Sequence, residues 1–249
     1  MSFTTWMPPE LSSEARPWHA DVWRMVEAQH IASTMKLVDD RAEQDLLEAL
    51  LEGSKPPAAD STAGLNYLLA APFRYSPRQG GSRFRSGADP GVFYGADYVA
   101  TACAELGYWR WCFLRDAPAL ERLDPVAHTA FRTRIATTAI DLRQPPLDRD
   151  HAAWCHPSDY HATQALARQA REAAIGAIVY ASVRAPGPAW CVAVLTPAAF
   201  ARSAPEQPTQ TWWLAVRHDQ VQWRRDGEAI VFDTARWADT SASSPPGII

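Results

Sequence analysis

Residues 71–110 hold the densest set of side chains able to act on a ligand. Arg74, Arg78, Arg83 and Arg85 fall within twelve residues, interleaved with aromatics and with Gly80-Gly81. Guanidinium groups grip planar anions in bidentate fashion, and a Gly-Gly-Ser turn lets backbone approach a ligand closely. Together they suit a clamp on a diphosphate. A solvated basic loop has the same composition. Glu105 lies among Ala100, Ala102, Cys103, Ala104 and Leu106. On a helix it shares a face with Tyr98 and Ala102. Such a carboxylate sits either at the exposed edge of a closely packed helix or inside a cleft. Ser182, in Tyr-Ala-Ser-Val-Arg-Ala-Pro-Gly-Pro, follows an Ile-Val-Tyr run. A serine there is a binding hydroxyl or a turn former. No Gly-x-Ser-x-Gly elbow surrounds it, which argues against a hydrolase nucleophile.

Two other clusters carry less chemistry. His151, Cys155 and His161 are candidate zinc ligands, but their spacing matches no closed structural site, and no metal is expected. Cys155 and His156 are chain neighbours whose side chains point apart. Trp190, Trp212, Trp213, Trp223 and Trp237 read as core and interface rather than a sugar platform. Cys103, Cys112, Cys155 and Cys191 are widely spaced and read as thiols of a reducing compartment.

The elements that must position these residues mix two periods. Trp18 to Leu51 reads as helical, with Val22, Met25, Val26 and Gln29 on one face and Leu46, Leu47, Leu50 and Leu51 as a second stripe. Residues 54–64 read as a linker. Short strands are expected at Phe73-Arg74-Tyr75 and Val92-Phe93-Tyr94. A helix capped by Asp97 is expected through Leu106, followed by a strand from Tyr108 to Leu114. Helices are expected over 116–135 and Ser158 to Ala174. Apolar runs at Ala177–Tyr180, Ala189–Leu195 and Trp212–Val216 predict strands, and Asp226-Gly227 predicts a hairpin joining Val221–Arg225 to Glu228–Phe232. Without regular βαβ alternation the class is α+β. The domain plan is a helical extension and linker over 1–64, a main domain over 65–237 and a loose tail over 238–249.

Charge narrows the function. The 249 residues carry 28 acidic and 24 basic side chains, a net charge of −4. That balance excludes electrostatics as the main source of affinity for nucleic acid or an anionic membrane. Of the 24 basic residues, two are lysines (Lys36 and Lys55) and 22 are arginines, and Asn66 is the only asparagine. A GC-rich, alanine-rich coding sequence accounts for most of that bias. No apolar run reaches the roughly 18 residues that span a bilayer. Met1-Ser2-Phe3-Thr4-Thr5-Trp6 lacks the order of a secretion signal, so a cytoplasmic protein is expected. Walker-type loops, Gly-rich dinucleotide fingerprints and internal repeats are missing.

Over about residues 65–237 the chain resembles the RES-domain family, named for its Arg, Glu and Ser, the toxins of RES–Xre toxin–antitoxin pairs. Arg74-Tyr75 comes first, then the turn with Arg83-Phe84, a strand ending in Tyr94, a helix with Glu105, and Tyr180-Ala-Ser-Val-Arg184. Arg83, Tyr94 and Glu105 are spaced eleven and eleven. The resemblance implies an ADP-ribosyltransferase-like fold with small mixed or antiparallel sheets flanked by helices. It implies cleavage of NAD+ as substrate, with no cofactor, passing ADP-ribose to phosphate or water. Transfer to a protein target, or an inactive binding module, is the alternative. Implied catalytic residues are Glu105, Arg83 and Tyr94; Arg74, Tyr75, Ser182 and Arg85 would bind NAD+. An Xre-type helix-turn-helix antitoxin is the implied partner, and homo-oligomerisation stays open. The family's turn often reads Gly-Gly-Arg-Trp-Asn, whereas this chain has Gly81-Ser82-Arg83-Phe84-Arg85. The exchange of Asn for Arg85 bears on acceptor and affinity.

Overall fold

The structure is a computed structural model that describes residues 6–28, 43, 60–74 and 81–238. A short helix α1 (Pro8–Glu14) leads into strand β1 (Arg16–Glu27). Helix α2 (Tyr67–Arg74) precedes a two-stranded hairpin, β2 (Gly81–Ser82) and β3 (Arg85–Ser86), and then strand β4 (Phe93–Ala96). The long helix α3 (Val99–Arg115) and the 20-residue strand β5 (Arg122–Asp141) follow. Helices α4 (His151–Trp154) and α5 (His161–Glu172) lead to β6 (Ala177–Ala181) and β7 (Trp190–Val194). The chain then forms β8 (Glu206–Arg217), β9 (Gln220–Arg225), β10 (Glu228–Asp233) and α6 (Ala235–Ala238). The α+β class holds. In place of small sheets there is one eight-stranded sheet beside the hairpin.

That sheet curls on itself. Its order is β1-β4-β7-β6-β5-β8-β9-β10, and β1 also pairs with β5 over twelve residues. Strands β1, β4, β7, β6 and β5 thus close a ring. β5 runs on to carry the antiparallel β8–β9–β10 meander. Alternation along β6 and β7 explains their unbroken apolar runs. Ile178, Tyr180, Cys191 and Ala193 face one core, and Val179, Val192 and Val194 face another. The second core, with Phe93, Phe131 and Leu69, is partly covered by Phe73 of α2.

Several expected elements differ, and each difference has a physical cause. The Trp18–Leu51 pattern reads as helical, yet Arg16–Glu27 is a strand whose Trp, Val and Met residues pack in register against β5. It belongs to the main sheet, so Trp18–Glu27 is not helical. The Leu46–Leu51 stripe lies outside the described residues. Residues 122–135, expected as helix, are β5, where Thr129, Thr133, Ile135, Thr137 and Thr138 favour extended backbone. Tyr108–Leu114, expected as strand, completes α3, because Tyr108 and Trp111 pack on Trp237. Phe73-Arg74 ends α2 rather than forming a strand. The Asp-Gly hairpin is present, with Asp226 at φ 49°. No described helix is long and apolar enough to cross a membrane.

Helix α3 lies flush on the sheet because its contact face is small. Trp223 Nε1 donates to the Cys103 carbonyl at 3.1 Å, and Gly107 sits over β9. A Cβ on Gly107 would stand 2.8 Å from Val221 Cγ1 and 3.3 Å from Trp223 Nε1, both in fully buried residues. Gly107→Val should therefore push α3 outward and cost about 1–3 kcal/mol of overpacking. The fall in Tm should be roughly 2–4 °C for each kcal/mol, read by thermal denaturation.

Candidate active site

A cavity of about 210 Å³ opens between α3, the first turn of the β2–β3 hairpin, and strands β1, β4 and β7. Glu105 is the only carboxylate among the described residues that line it, and Arg24, Arg83 and Arg184 line it too. Three arginines and one carboxylate thus border the cavity. Trp23, Trp109, Tyr160 and Tyr180 supply aromatic walls. The cleft therefore suits an anion joined to flat or sugar-like groups.

Glu105 is held from behind. Ser182 Oγ donates to its Oε1 at 2.5 Å. That hydroxyl also accepts the Arg184 and Ala185 backbone N–H groups at 3.3 and 3.1 Å. With both lone pairs of Ser182 engaged, its one hydrogen is directed at the carboxylate. Asp97 pins the start of α3. Its Oδ1 accepts the Tyr98 N–H and its Oδ2 the Trp190 N–H, at 2.8 and 2.9 Å. The expected cap is thus a brace to β7.

Arg83 is buried, and its Nη1 donates to the carbonyls of Trp154 and His156 at 2.8 and 2.9 Å. Its guanidinium carbon lies 4.8 Å from the Tyr160 ring centroid. Thr163 Oγ1 donates to the Arg83 carbonyl, so α5 fixes the backbone of the turn. Tyr94 fixes it from the other side. Its hydroxyl accepts the Phe84 N–H at 3.0 Å and bonds Ser82 Oγ at 2.7 Å. Burial pushes that hydroxyl above its ordinary range near 10. Tyr94 thus presents its hydroxyl to the hairpin, as a positioning group. Gly81 serves the chain itself, since a Cβ there would collide with the Arg85 carbonyl.

Arg24 and Arg184 were missed by reasoning from sequence. Arg24 Nη1 donates to the Tyr94 carbonyl at 3.0 Å, and its guanidinium lies 4.8 Å from the Phe93 ring centroid. Its Nε is buried with no hydrogen-bond partner among the described residues, and burial pushes the group down to about 10. A buried cation with an unused donor is a strong anion-seeking feature. Reading β1 as helix hid it. Arg184 is 1% exposed, packs 3.5 Å over Tyr108 and donates to the Pro157 carbonyl. It lies in the Ser182 segment, which was its only signal.

Two other expected NAD+-binding residues, Arg74 and Arg85, do not line the cleft. Arg74 ends α2 and is not among the lining residues. Arg85 points its Nε to the Asp89 carbonyl at 3.2 Å and also stays outside. Tyr75 lies outside the described residues. His151 Nδ1 lies 3.6 Å from Cys155 Sγ, while His161 pairs with Asp159 at 2.7 Å. Among the described residues no group of three His, Cys, Asp or Glu could hold a metal ion.

The sequence model of the RES domain matches residues 55–217. A solved structure similar to this chain is the M. tuberculosis MbcT–MbcA toxin–antitoxin complex. The identity is 11%, 92% of each chain is covered and the TM-score is 0.44. No curated protein matches. The match ends at the last residue of β8, so the β9–β10 hairpin that packs under α3 lies beyond it.

If the Tyr94 hydroxyl positions the Arg83 turn, Tyr94→Phe should free the Phe84 amide. The expected result is faster hydrogen exchange at Phe84 and a stability loss of about 1–3 kcal/mol. Unchanged exchange at Phe84 counts against that role.

Proposed function

Because the chain belongs to the RES-domain family, we propose that it is a toxin that cleaves NAD+, releasing nicotinamide and passing ADP-ribose to phosphate or water. The observation that carries this reading is one carboxylate, Glu105, set among Arg24, Arg83 and Arg184 in an aromatic-walled cleft. Arg24, with its unused Nε donor, and Arg83 would grip the diphosphate. Arg24 would take the role that the resemblance implies for Arg74. Tyr180 or Tyr160 would pack against the nicotinamide or its ribose, and Ser182 would keep Glu105 in place.

The chemistry follows from those placements. The bond between the ribose C1′ and the nicotinamide nitrogen breaks, and its electron pair goes to the ring, cancelling the pyridinium charge. The sugar becomes oxocarbenium-like. Glu105 would accept hydrogen bonds from the ribose hydroxyls and stabilise that cation by its charge. A phosphate oxygen attacking C1′ gives ADP-ribose 1″-phosphate; water, losing a proton, gives ADP-ribose. In the cell the result is loss of NAD+ and arrested growth. The partner in this reading is an Xre-type helix-turn-helix antitoxin that blocks the cleft, encoded beside the toxin.

Purified protein incubated with labelled NAD+, with and without phosphate, tests the reading. Free ADP-ribose or its 1″-phosphate is expected; label on protein would make it a mono-ADP-ribosyltransferase instead. Glu105→Ala should lower turnover at least 100-fold, and Arg83→Ala and Arg24→Ala should each abolish growth inhibition. Folded variants as toxic as the parent contradict the site.

A further inference from the structure

Glu105 Oε1 has a second donor. Cys191 Sγ lies 3.8 Å from it, within the range of a thiol hydrogen bond, and lines the cleft. The sheet delivers this thiol. Cys191 pairs directly with Tyr180 across β6 and β7, and both side chains face the core that α3 covers. Cys191 is 2% exposed. Ser182 and Cys191 reach the same oxygen from a loop and from a strand. Among the described residues no hydrogen bond reaches Oε2, which leaves it to face a ligand in the cleft.

We propose that Cys191 is a positioning residue for the reaction: its thiol, with the Ser182 hydroxyl, fixes Oε1 of Glu105 so that Oε2 meets the ribose. The inference rests on the NAD+-cleaving reading. A thiol can donate only while protonated. Burial and the neighbouring Glu105 charge push Cys191 well above its ordinary range, so it keeps its hydrogen at neutral pH. The same condition makes it a poor nucleophile, which separates this role from covalent catalysis. Asp97 and the hydroxyls of Tyr180 and Ser182 are the other groups close enough to act on it. Two donors on one oxygen also stop the carboxylate from turning about its last torsion, which is otherwise soft.

Two measurements test the proposal. The first is the infrared S–H stretching band of Cys191, isolated as the difference between the parent and Cys191→Ala. A hydrogen bond to a carboxylate lowers this frequency, so Glu105→Ala should move the band upward. A band that Glu105→Ala leaves in place overturns the proposal. The second is steady-state NAD+ cleavage. Cys191→Ala should lower kcat about tenfold and leave KM within about twofold, because the carboxylate acts on the transition state. An unchanged kcat overturns the role, as does a loss confined to KM. If the parent cleaves no NAD+ while the band moves as expected, the thiol contact stands and the NAD+ reading falls.

Discussion

The Ser182 hydroxyl has one hydrogen, and the backbone leaves it one destination. Its lone pairs take the Arg184 and Ala185 amides, so the hydrogen goes to Glu105. The site depends on this bond because it ties a helix to the loop after β6 across 77 residues of sequence. The bond can form only if α3 lies flush on the sheet. That in turn needs Gly107 against β9, Trp223 on the Cys103 carbonyl, and Asp97 bracing the helix start to β7. Much of the packing thus serves to bring one carboxylate to one hydroxyl.

Charge then decides what the cleft accepts. Burying arginines is costly unless each is paired or hydrogen-bonded. Arg83 and Arg184 meet the cost in part with backbone carbonyls from the segment before α5. Arg24 meets it with one carbonyl and an aromatic face, and keeps a donor in reserve. A chain with a net charge of −4 therefore holds a locally positive pocket. The overall balance still argues against a polyanion as ligand, whereas the pocket suits a small one. The bias of 22 arginines to two lysines fits coding preference across most of the surface. At Arg24 and Arg83 it fits chemistry.

Legibility tracked how local each determinant was. That Arg83, Tyr94 and Glu105 border one cleft could be read because their spacing lies on one continuous hairpin–strand–helix run. The apolar runs at β6 and β7 were legible because both faces of those strands are buried. Arg24 was not legible. Its strand is defined by pairing with residues such as Phe131, far along the chain, and strand preference is a weak local signal. Tyr108–Leu114 misled for a related reason, since its aromatics look strand-like until Trp237 packs on them. Arg74 and Arg85 were candidates by composition and by the family resemblance, and neither says which way a side chain points. Cys191 gave no signal at all, because a lone thiol in an apolar run reads as core.

The most direct test of the central claim is a crystal structure of the Glu105→Gln protein with NAD+ bound. The account predicts the diphosphate between Arg24 and Arg83, with a hydrogen bond from Arg24 Nε. The nicotinamide ribose hydroxyls should lie within hydrogen-bond reach of the substituted side chain. A diphosphate bound away from Arg24 and Arg83, or a ribose remote from position 105, would contradict it.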